Sequence, residues 1–315
     1  MPPLVVIVGP TAVGKSRLAV KLAQKLNGEV ISGDAFQVYQ GLNLGTAKLS
    51  ASEREGIPHH LIDIVPPQEN FSVAAYRKLA VQTIKEIHER GNLPFLVGGT
   101  GLYISAVIYN YTFPEMPTDY ELRERLKDLE RNKGPACLYQ KLQEVDPIAA
   151  ANIKAKDVRR VIRALEVYHL TGRPLSSFHR LKDNPEPRYR LALIGLQMDR
   201  TLLYTRINQR VEEMLCLGLV EEVKSLLDQG CSPASNAMQA LGYKEIVGFL
   251  QHQYDLSTAV ELIKRNTRRY AKRQLTWFKR DSRIKWYNVE LAANEEELVE
   301  GIYLEICRTL NLRVE

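Results

Sequence analysis

Apolar residues in the first hundred positions form short continuous runs separated by amphipathic stretches. Leu4 to Val8 is one such run, rich in β-branched residues, and EVIS and PFLV are two more. After the loop GPTAVGKS, apolar residues recur at helical spacing until Gly28, and a second helical pattern runs from about Ser72 to Arg90. Strands alternating with helices predict a parallel sheet covered by helices on both faces.

The pattern changes to charged helical segments near Pro114 and returns to a strand at RLALIGLQM, with prolines at both joins (Pro114, Pro117, Pro185 and Pro187). We therefore expect an α/β fold with a P-loop core in two parts, 1–114 and 188–315, and a helical insertion at 115–187. The last part is expected to be mostly helical and to include a long helix from Thr258, where Thr258 and Glu261 have the spacing of a capping box.

Composition adds few constraints. The chain has 315 residues, a net charge of +6 and 45% hydrophobic residues, which suits a globular protein of about two domains. Its four cysteines are far apart and indicate neither a zinc site nor a disulfide framework. No apolar run approaches the ~20 residues of a membrane span. We expect a cytoplasmic protein without membrane association.

The loop Gly9-x-x-x-x-Gly14-Lys15-Ser16 follows a predicted buried strand and precedes a predicted helix. Its glycines allow backbone N–H groups to surround phosphate oxygens, Lys15 adds a positive charge and Ser16 is suited to a magnesium ion. Kinases, ATPases, GTPases and transferases share this pattern, so it predicts a phosphate site without naming the ligand.

Two other loops follow predicted strands. Asp34 lies just after the second strand, where its carboxylate is suited to a general base, a magnesium partner or a turn cap. In GGTGLY, Thr100 can offer a hydroxyl and an N–H to an anion, or the glycines can simply form a tight turn.

Cations are concentrated near the C-terminus, where ten of them face the single acid Asp281. They recur every three or four residues and indicate a basic helix suited to nucleic-acid phosphates, or else a solvated charged face: Lys264, Arg265, Arg268, Arg269, Lys272, Arg273, Lys279, Arg280, Arg283 and Lys285. Trp277 and Phe278 are interpreted as core anchors.

A helix capped by Asp157 and closed by Gly172 is predicted in the insertion, with Arg159, Arg160 and Arg163 grouped away from its apolar side. These arginines are a second candidate nucleic-acid surface. His59 and His60 lack companion metal ligands, and packing or hydrogen bonding is the expected role of both.

Seven motifs, in this order and spacing, resemble the bacterial tRNA dimethylallyltransferase family, also called tRNA isopentenyltransferases. They are GPTAVGKS, SGDAFQVY, GIPHHLIDI, VGGTGLY, RRVIRALEV, QALGYKE and RRYAKRQLTWF. The resemblance implies transfer of a dimethylallyl group from dimethylallyl diphosphate to N6 of the adenine on the 3′ side of the anticodon. The acceptors would be tRNAs that read codons beginning with U, and the partner would be the tRNA anticodon arm.

Site residues follow from the same resemblance. Asp34 and Thr100 would be catalytic, and Ser16 would hold Mg²⁺. The diphosphate would be bound by Gly9, Pro10, Thr11, Ala12, Val13, Gly14, Lys15, Ser16 and Arg206. Contacts with tRNA are expected from Asp34, Ala35, Phe36, Gln37, Thr100, Arg123, Arg159, Arg160, Val161, Ile162 and Arg163, and from the basic helix at Arg268, Arg269, Lys272 and Arg273. We expect a monomer.

The sequence differs from the commonest family pattern at Ser16, where Thr is frequent, and at Arg159-Arg160, where Gln-Arg is usual. Three other functions stay open at this point. A small-molecule kinase would use the loop for ATP, an adenylate isopentenyltransferase would prenylate free nucleotides, and an RNA-binding GTPase-like switch would bind guanine nucleotides. The basic helix disfavours the first two, and the lack of an N-K-x-D motif disfavours the third.

Overall fold

Six parallel strands form one sheet within residues 1–109, 119–178 and 188–313, which are the residues that the computed structural model describes. They are β1 (Pro3–Val8), β2 (Gly28–Ser32), β3 (His59–His60), β4 (Leu93–Gly98), β5 (Arg190–Gln197) and β6 (Lys285–Asn288). Their order is β3-β2-β4-β1-β5-β6. The predicted α/β fold with a parallel sheet is confirmed.

Thirteen helices accompany the sheet in these described residues. Three come before the insertion: α1 (Lys15–Lys25), α2 (Val73–Glu89) and α3 (Gly101–Ile108). Five lie within it: α4 (Tyr120–Lys133), α5 (Pro135–Val145), α6 (Pro147–Asn152), α7 (Val158–Thr171) and α8 (Leu175–Phe178). Five follow it: α9 (Arg200–Cys216), α10 (Leu219–Asp228), α11 (Tyr243–Leu250), α12 (Leu256–Phe278) and α13 (Glu295–Leu310), with a 3₁₀ helix at Ala237–Gln239.

The chain divides into two compact units. Met1–Ile108 and Pro187–Glu315 form the first, and Tyr109–Glu186 form the second. The sequence predicts the insertion at 115–187, and the four prolines that marked its joins lie outside the described residues. No helix of the described ranges is long and apolar enough to cross a membrane.

The core of the first unit lies on the sheet. Side chains of α1 and α13, including Leu22 and Ile302, pack with Val5, Ile7 and Phe95 from one face of the strands. Helix α2 contacts β2 and β4 and buries residues that lie outside this cluster. This arrangement leaves the carboxyl ends of the strands as the edge at which loops can approach one another.

A separate apolar cluster stabilises the second unit. It joins α5, α6 and α7 through residues such as Leu138, Leu142 and Val161. Helix α7 begins after Asp157, whose carboxylate accepts a hydrogen bond from the backbone N–H of Arg160, and ends at Gly172 in the left-handed region (φ 66°). The predicted cap and end of this helix are therefore confirmed.

Some features of local structure differ from expectation. The short strands β3 and β6 carry too few residues to show an apolar period. No element was predicted at β3, and β6 lies in a stretch predicted as helical. Helix α12 begins earlier than predicted, because the Asp255 carboxylate accepts a 2.9 Å hydrogen bond from the N–H of Thr258. Thr258 is thus inside the first turn, and the capping box with Glu261 does not form.

Glu29, in β2, binds side chains from β3 and from the segment that precedes β4. Its carboxylate is 3% exposed and accepts two hydrogen bonds from Arg90, at 3.0 and 2.7 Å, and one from Asn92 at 2.7 Å. His60 Nε2 lies 2.6 Å from the same carboxylate, and His59 Nδ1 lies 2.8 Å from the carbonyl oxygen of Ile57. Hydrogen bonding, as expected, accounts for both histidines.

We predict that Glu29→Gln lowers the free energy of unfolding by about 1 to 3 kcal/mol near pH 7. The hydrogen bonds from Arg90, then those from Asn92 and His60, lower the pKa of Glu29 from 4.5 to about 2. A lowered folded-state pKa stabilises the fold above pH 4.5, and this contribution is lost as the pH falls toward 2. Urea unfolding near pH 7 and near pH 3.5 should show the difference shrinking. The exposed Glu89→Gln is the control, and an equal loss in both variants would contradict the prediction.

Candidate active site

The loops after β1, β2 and β4 meet at the carboxyl edge of the sheet. A Cβ added to Gly98 would lie 2.3 Å from the carbonyl oxygen of Gly33, so the second and third loops are in backbone contact. The N–H of Thr100 donates to Gly33 O at 3.2 Å, and the Thr100 hydroxyl accepts from the N–H of Ala35 at 3.1 Å. These contacts bring Thr100 next to Asp34, as the predicted strand ends require.

The phosphate-type loop depends on glycine at its two ends. Gly9 has φ 146°, and a Cβ there would lie 2.5 Å from the carbonyl oxygen of Leu196. Gly14 has φ 102° and precedes α1 without any side-chain cap. The first turn of α1 contains no acidic residue. Its N–H groups and helix dipole therefore favour an anion at this position.

Lys15 is held inside this loop. Its ammonium group donates a 2.7 Å hydrogen bond to the carbonyl oxygen of Pro10. Burial lowers the pKa of Lys15 to about 7, and the positive charge of Arg210 acts in the same direction, whereas the negative charge of Asp34 opposes both. An incoming phosphate would relieve this repulsion and restore the full charge of Lys15.

Asp34 combines a structural contact with an altered basicity. One of its carboxylate oxygens accepts hydrogen bonds from the N–H groups of Phe36 at 2.8 Å and Gln37 at 3.4 Å. Burial nevertheless raises the pKa of Asp34, because it outweighs these hydrogen bonds and the charges of Lys15 and Arg210. A carboxylate with a raised pKa is better suited to accepting a proton at neutral pH.

A cavity of about 260 Å³ opens beside these groups. Polar and charged side chains on its walls include Thr11, Asp34, Arg210, Lys244 and Arg273. Its apolar lining comes mainly from α9 and α12 and from the segment before α11, with Ile207, Val211, Met214, Leu241 and Ile263. The cavity can thus hold a ligand that carries both an anionic group and a short hydrocarbon.

Arg210 was missed by the sequence reasoning, which assigned diphosphate binding to Arg206. Arg206 is exposed and is not among the cavity residues, whereas Arg210, one turn later, is. The available signal was the buried stripe of Leu203, Ile207 and Val211 on α9, since Arg210 lies next to that stripe on the helix.

Several residues predicted to bind diphosphate or tRNA lie in or near the cavity. Thr11, Ala12, Asp34, Phe36 and Arg273 line the cavity, and Ala35 and Gln37 are half-buried beside it. Thr100 is linked to Ala35, as described above. Tyr270 also lines the cavity, although its sequence position gave no indication of this.

Of the ten cations in the predicted basic helix, those from Lys264 to Arg273 lie on α12. The name basic helix is kept for this part, and its cations differ in their surroundings. Lys264 pairs with Glu212 at 2.5 Å and Glu261 at 3.1 Å, and Arg268 donates to the side chain of Asn208 at 2.7 Å. Arg265, Arg269 and Lys272 are exposed. Arg273 is exposed as well but also lines the cavity. Arg265, Arg269 and Lys272 are therefore the cations best placed to contact phosphates.

The two aromatic residues at the end of α12 also differ. Phe278 is 4% exposed, which confirms it as a core anchor. Trp277 is 37% exposed, so the same prediction is wrong for it. Its indole packs on Gly101, where a Cβ would lie 2.3 Å from the ring, and its Nε1 lies 3.4 Å from the Ser105 hydroxyl.

The predicted tRNA contacts of the second unit need correction. Val161 and Ile162 are 1% and 5% exposed within the apolar cluster, so their side chains are not available to a ligand. Arg123 and Arg163 both bind the buried carboxylate of Glu166, at 2.8 and 2.6 Å. Arg159 and Arg160 are exposed.

The donor atoms present bear on the expected Mg²⁺ at Ser16. Among the described residues, no group of three His, Cys, Asp or Glu side chains could hold a metal ion. Magnesium, however, is commonly bound through one or two protein oxygens together with substrate phosphates. Half-buried Ser16, in the first turn of α1, fits that mode of binding.

A parallel sheet whose first loop has the glycine-bounded form of a phosphate-binding loop, with a carboxylate after β2 at the same edge of the sheet, defines a P-loop α/β protein. Residues 37–281 match the family model of IPP transferase. The chain belongs to the IPP transferase family, which confirms the resemblance seen in its motifs.

Two bacterial tRNA dimethylallyltransferases are similar to this chain over nearly its whole length. The tRNA dimethylallyltransferase of Pelotomaculum thermopropionicum is 51% identical over 300 residues, or 95% of each chain. That of Carboxydothermus hydrogenoformans is 54% identical over 285 residues, 90% of this chain and 91% of the relative.

Two solved structures are similar to the chain along its length. A tRNA isopentenylpyrophosphate transferase from Bacillus halodurans is 46% identical, with a TM-score of 0.75 over 99% of this chain and 97% of its own. A eukaryotic dimethylallyltransferase acting on tRNA is 29% identical, with a TM-score of 0.81 over 100% of this chain and 81% of its own.

We predict that the protein takes up a proton at Lys15 when it binds pyrophosphate near pH 8. Free Lys15, with a pKa of about 7, is mostly neutral at that pH, and the bound anion would raise its pKa. Calorimetry in two buffers of different ionisation enthalpy measures the uptake. Lys15→Arg is the matched control, because arginine stays protonated and reports only the ligand's own protonation. Equal uptake by both proteins would contradict the assignment.

Proposed function

We propose that the protein transfers the dimethylallyl group of dimethylallyl diphosphate to N6 of the adenine on the 3′ side of the anticodon, in tRNAs that read codons beginning with U. The observation that carries this proposal is one cavity with three features: cations suited to a diphosphate, an apolar lining and the Asp34 carboxylate. The names of the relatives, tRNA dimethylallyltransferases, support the same reaction.

The donor's diphosphate fits the phosphate-type loop. Backbone N–H groups at the start of α1 would bind its oxygens, and Lys15 and Arg210 would neutralise its charge. Ser16 would hold Mg²⁺, which would make the diphosphate a better leaving group. The dimethylallyl group has five carbons, and the apolar walls at Ile207, Val211 and Leu241 are suited to it.

The acceptor amine needs a base, because the lone pair of an adenine amino group is delocalised into the ring. As the bond between N6 and the allylic carbon forms and the bond from that carbon to the diphosphate oxygen breaks, Asp34 would take the N6 proton. Thr100, linked to the Asp34 loop through Ala35, would lie near the leaving oxygen. Fixed donors and cations at that oxygen would stabilise the charge that develops.

The acceptor RNA would be bound by exposed cations. Arg265, Arg269 and Lys272 on α12 are suited to phosphates, and so are Arg159 and Arg160 in the second unit. The adenine must leave its stack to reach the cavity, which costs a few kcal/mol and costs least in a loop such as the anticodon loop.

We predict that the wild-type protein, given Mg²⁺, labelled dimethylallyl diphosphate and unmodified tRNA, produces prenylated adenosine, recovered after digestion of the RNA. Asp34→Asn should bind pyrophosphate and tRNA normally but lose ~10²- to 10⁴-fold in single-turnover rate, because an amide cannot accept the proton. Near-normal turnover by the variant would remove Asp34 as the base. Steady ATP hydrolysis without prenyl transfer would instead support a kinase or ATPase.

We further predict that Arg269→Gln with Lys272→Gln weakens tRNA binding and flattens its salt dependence. Each lost phosphate contact should reduce the slope of log K against log salt by roughly 0.7 to 0.9. Affinity for pyrophosphate should stay unchanged. Arg17→Gln with Arg308→Gln removes two exposed cations outside the basic helix, each paired with a glutamate, and serves as the control for loss of charge elsewhere. An unchanged slope in the first variant would argue against the basic helix as an RNA surface.

A further inference from the structure

Gln274 is a buried polar residue that belongs to neither the anion site nor the cavity lining. It lies on α12 and is 5% exposed. Its Oε1 accepts a 2.9 Å hydrogen bond from the N–H of Thr11, and its Nε2 donates a 2.9 Å hydrogen bond to the carbonyl oxygen of Gly99. One side chain thus connects the phosphate-type loop to the loop that carries Thr100.

This bridge requires an amide. Oε1 must accept and Nε2 must donate, so an ionised glutamate could keep the contact with Thr11 but would face the Gly99 carbonyl with a second acceptor. The amide of Gln274 also leaves no room for a side chain at position 99, since a Cβ on Gly99 would lie 2.0 Å from Nε2 of Gln274.

A second contact links the bridge to the reaction site. The Tyr270 side chain, one turn earlier on α12, lies near enough to the side chains of Thr100 and Gln274 for these to act on its pKa, and Tyr270 lines the cavity. Burial raises the pKa of Tyr270, which therefore keeps its proton at neutral pH. Gln274 consequently touches the phosphate-type loop directly and is linked to Thr100 through Tyr270.

We propose that Gln274 is a positioning residue for departure of the diphosphate. It does not contact the substrate. By holding the Thr11 and Gly99 backbones on either side of one amide, it fixes the distance between the groups that bind the diphosphate and the Thr100 hydroxyl. The inference rests on the proposed function and names a residue in that reaction which the resemblance did not supply.

The size of the expected effect follows from geometry. An error of about 1 Å in the placement of reacting groups can reduce a rate ~10²-fold. Loss of the two hydrogen bonds would free both loops to move by such a distance. A buried glutamine that served only to stabilise the fold would affect the melting temperature and leave the rate of the folded protein unchanged.

The test compares Gln274→Met with Phe278→Leu, one turn later on the same helix and equally buried, where the side chain has no hydrogen bond to lose. Melting temperature, single-turnover prenyl transfer, and the affinities for pyrophosphate with Mg²⁺ and for tRNA are measured for both. Gln274→Met should lose ~10²-fold in rate and roughly tenfold in pyrophosphate affinity, with tRNA affinity unchanged. Phe278→Leu should lose thermal stability alone.

Gly99→Ala disturbs the same contact from the other loop and should reproduce the pattern of Gln274→Met, whereas Gln274→Glu, which keeps the acceptor, should be intermediate. A Gln274→Met rate equal to that of Phe278→Leu, or parallel losses for pyrophosphate and tRNA, would overturn the proposal. If the wild-type protein transferred no prenyl group, the proposed function would fail, and the pyrophosphate affinities would still decide whether Gln274 positions the anion site.

Discussion

Close contacts at glycines on the carboxyl edge of the sheet are the constraint on which this site depends. Gly98 lies against Gly33, Gly9 against Leu196, and Gly99 against the amide of Gln274, and a Cβ at any of these three positions would approach its neighbour to 2.5 Å or less. The first two contacts arise because the strands are parallel and end together at this edge, and the third comes from helix α12. The glycines therefore allow a lysine, a carboxylate and a threonine from three separate loops to act on one ligand.

The second constraint is electrostatic. The charge of Arg210 disfavours the charge of Lys15, and the carboxylate of Asp34 offsets only part of this effect. The charge of Arg210 is itself favoured by the carboxylates of Glu213, Asp34 and Glu53. Burial lowers the pKa of Arg210 and that of Lys15 and raises that of Asp34, so each of the three charges is disfavoured without a ligand. In the proposed function, a diphosphate would neutralise the cations and leave the carboxylate to accept a proton, so one cavity would accommodate both roles.

Local signals in the sequence predicted the parts of the fold that depend on neighbouring residues. The strand, loop and helix around Gly9 to Lys15, and helix α7 between Asp157 and Gly172, follow from apolar period and capping, and both are observed. The site residues that differ from expectation are of two kinds. Arg210 lines the cavity and Arg206 does not, although the buried stripe of α9 was a local signal for Arg210. The burial of Val161 and Ile162 depends on the cluster of the second unit. Gln274 could not be found from its neighbours, because its partners are 263 and 175 residues away.

Helix α12 has two faces, to which the proposed function would assign different substrates. Ile263, Thr267, Tyr270 and Gln274, spaced by three or four residues, share the face toward the cavity and the loops. Arg265, Arg269 and Lys272 are exposed to solvent. Inner-face substitutions should therefore alter donor chemistry, and outer-face substitutions should alter RNA affinity, without a shared side chain. Arg273 is the exception, because it is both exposed and part of the cavity lining, and the two functions of the helix would be coupled most directly there.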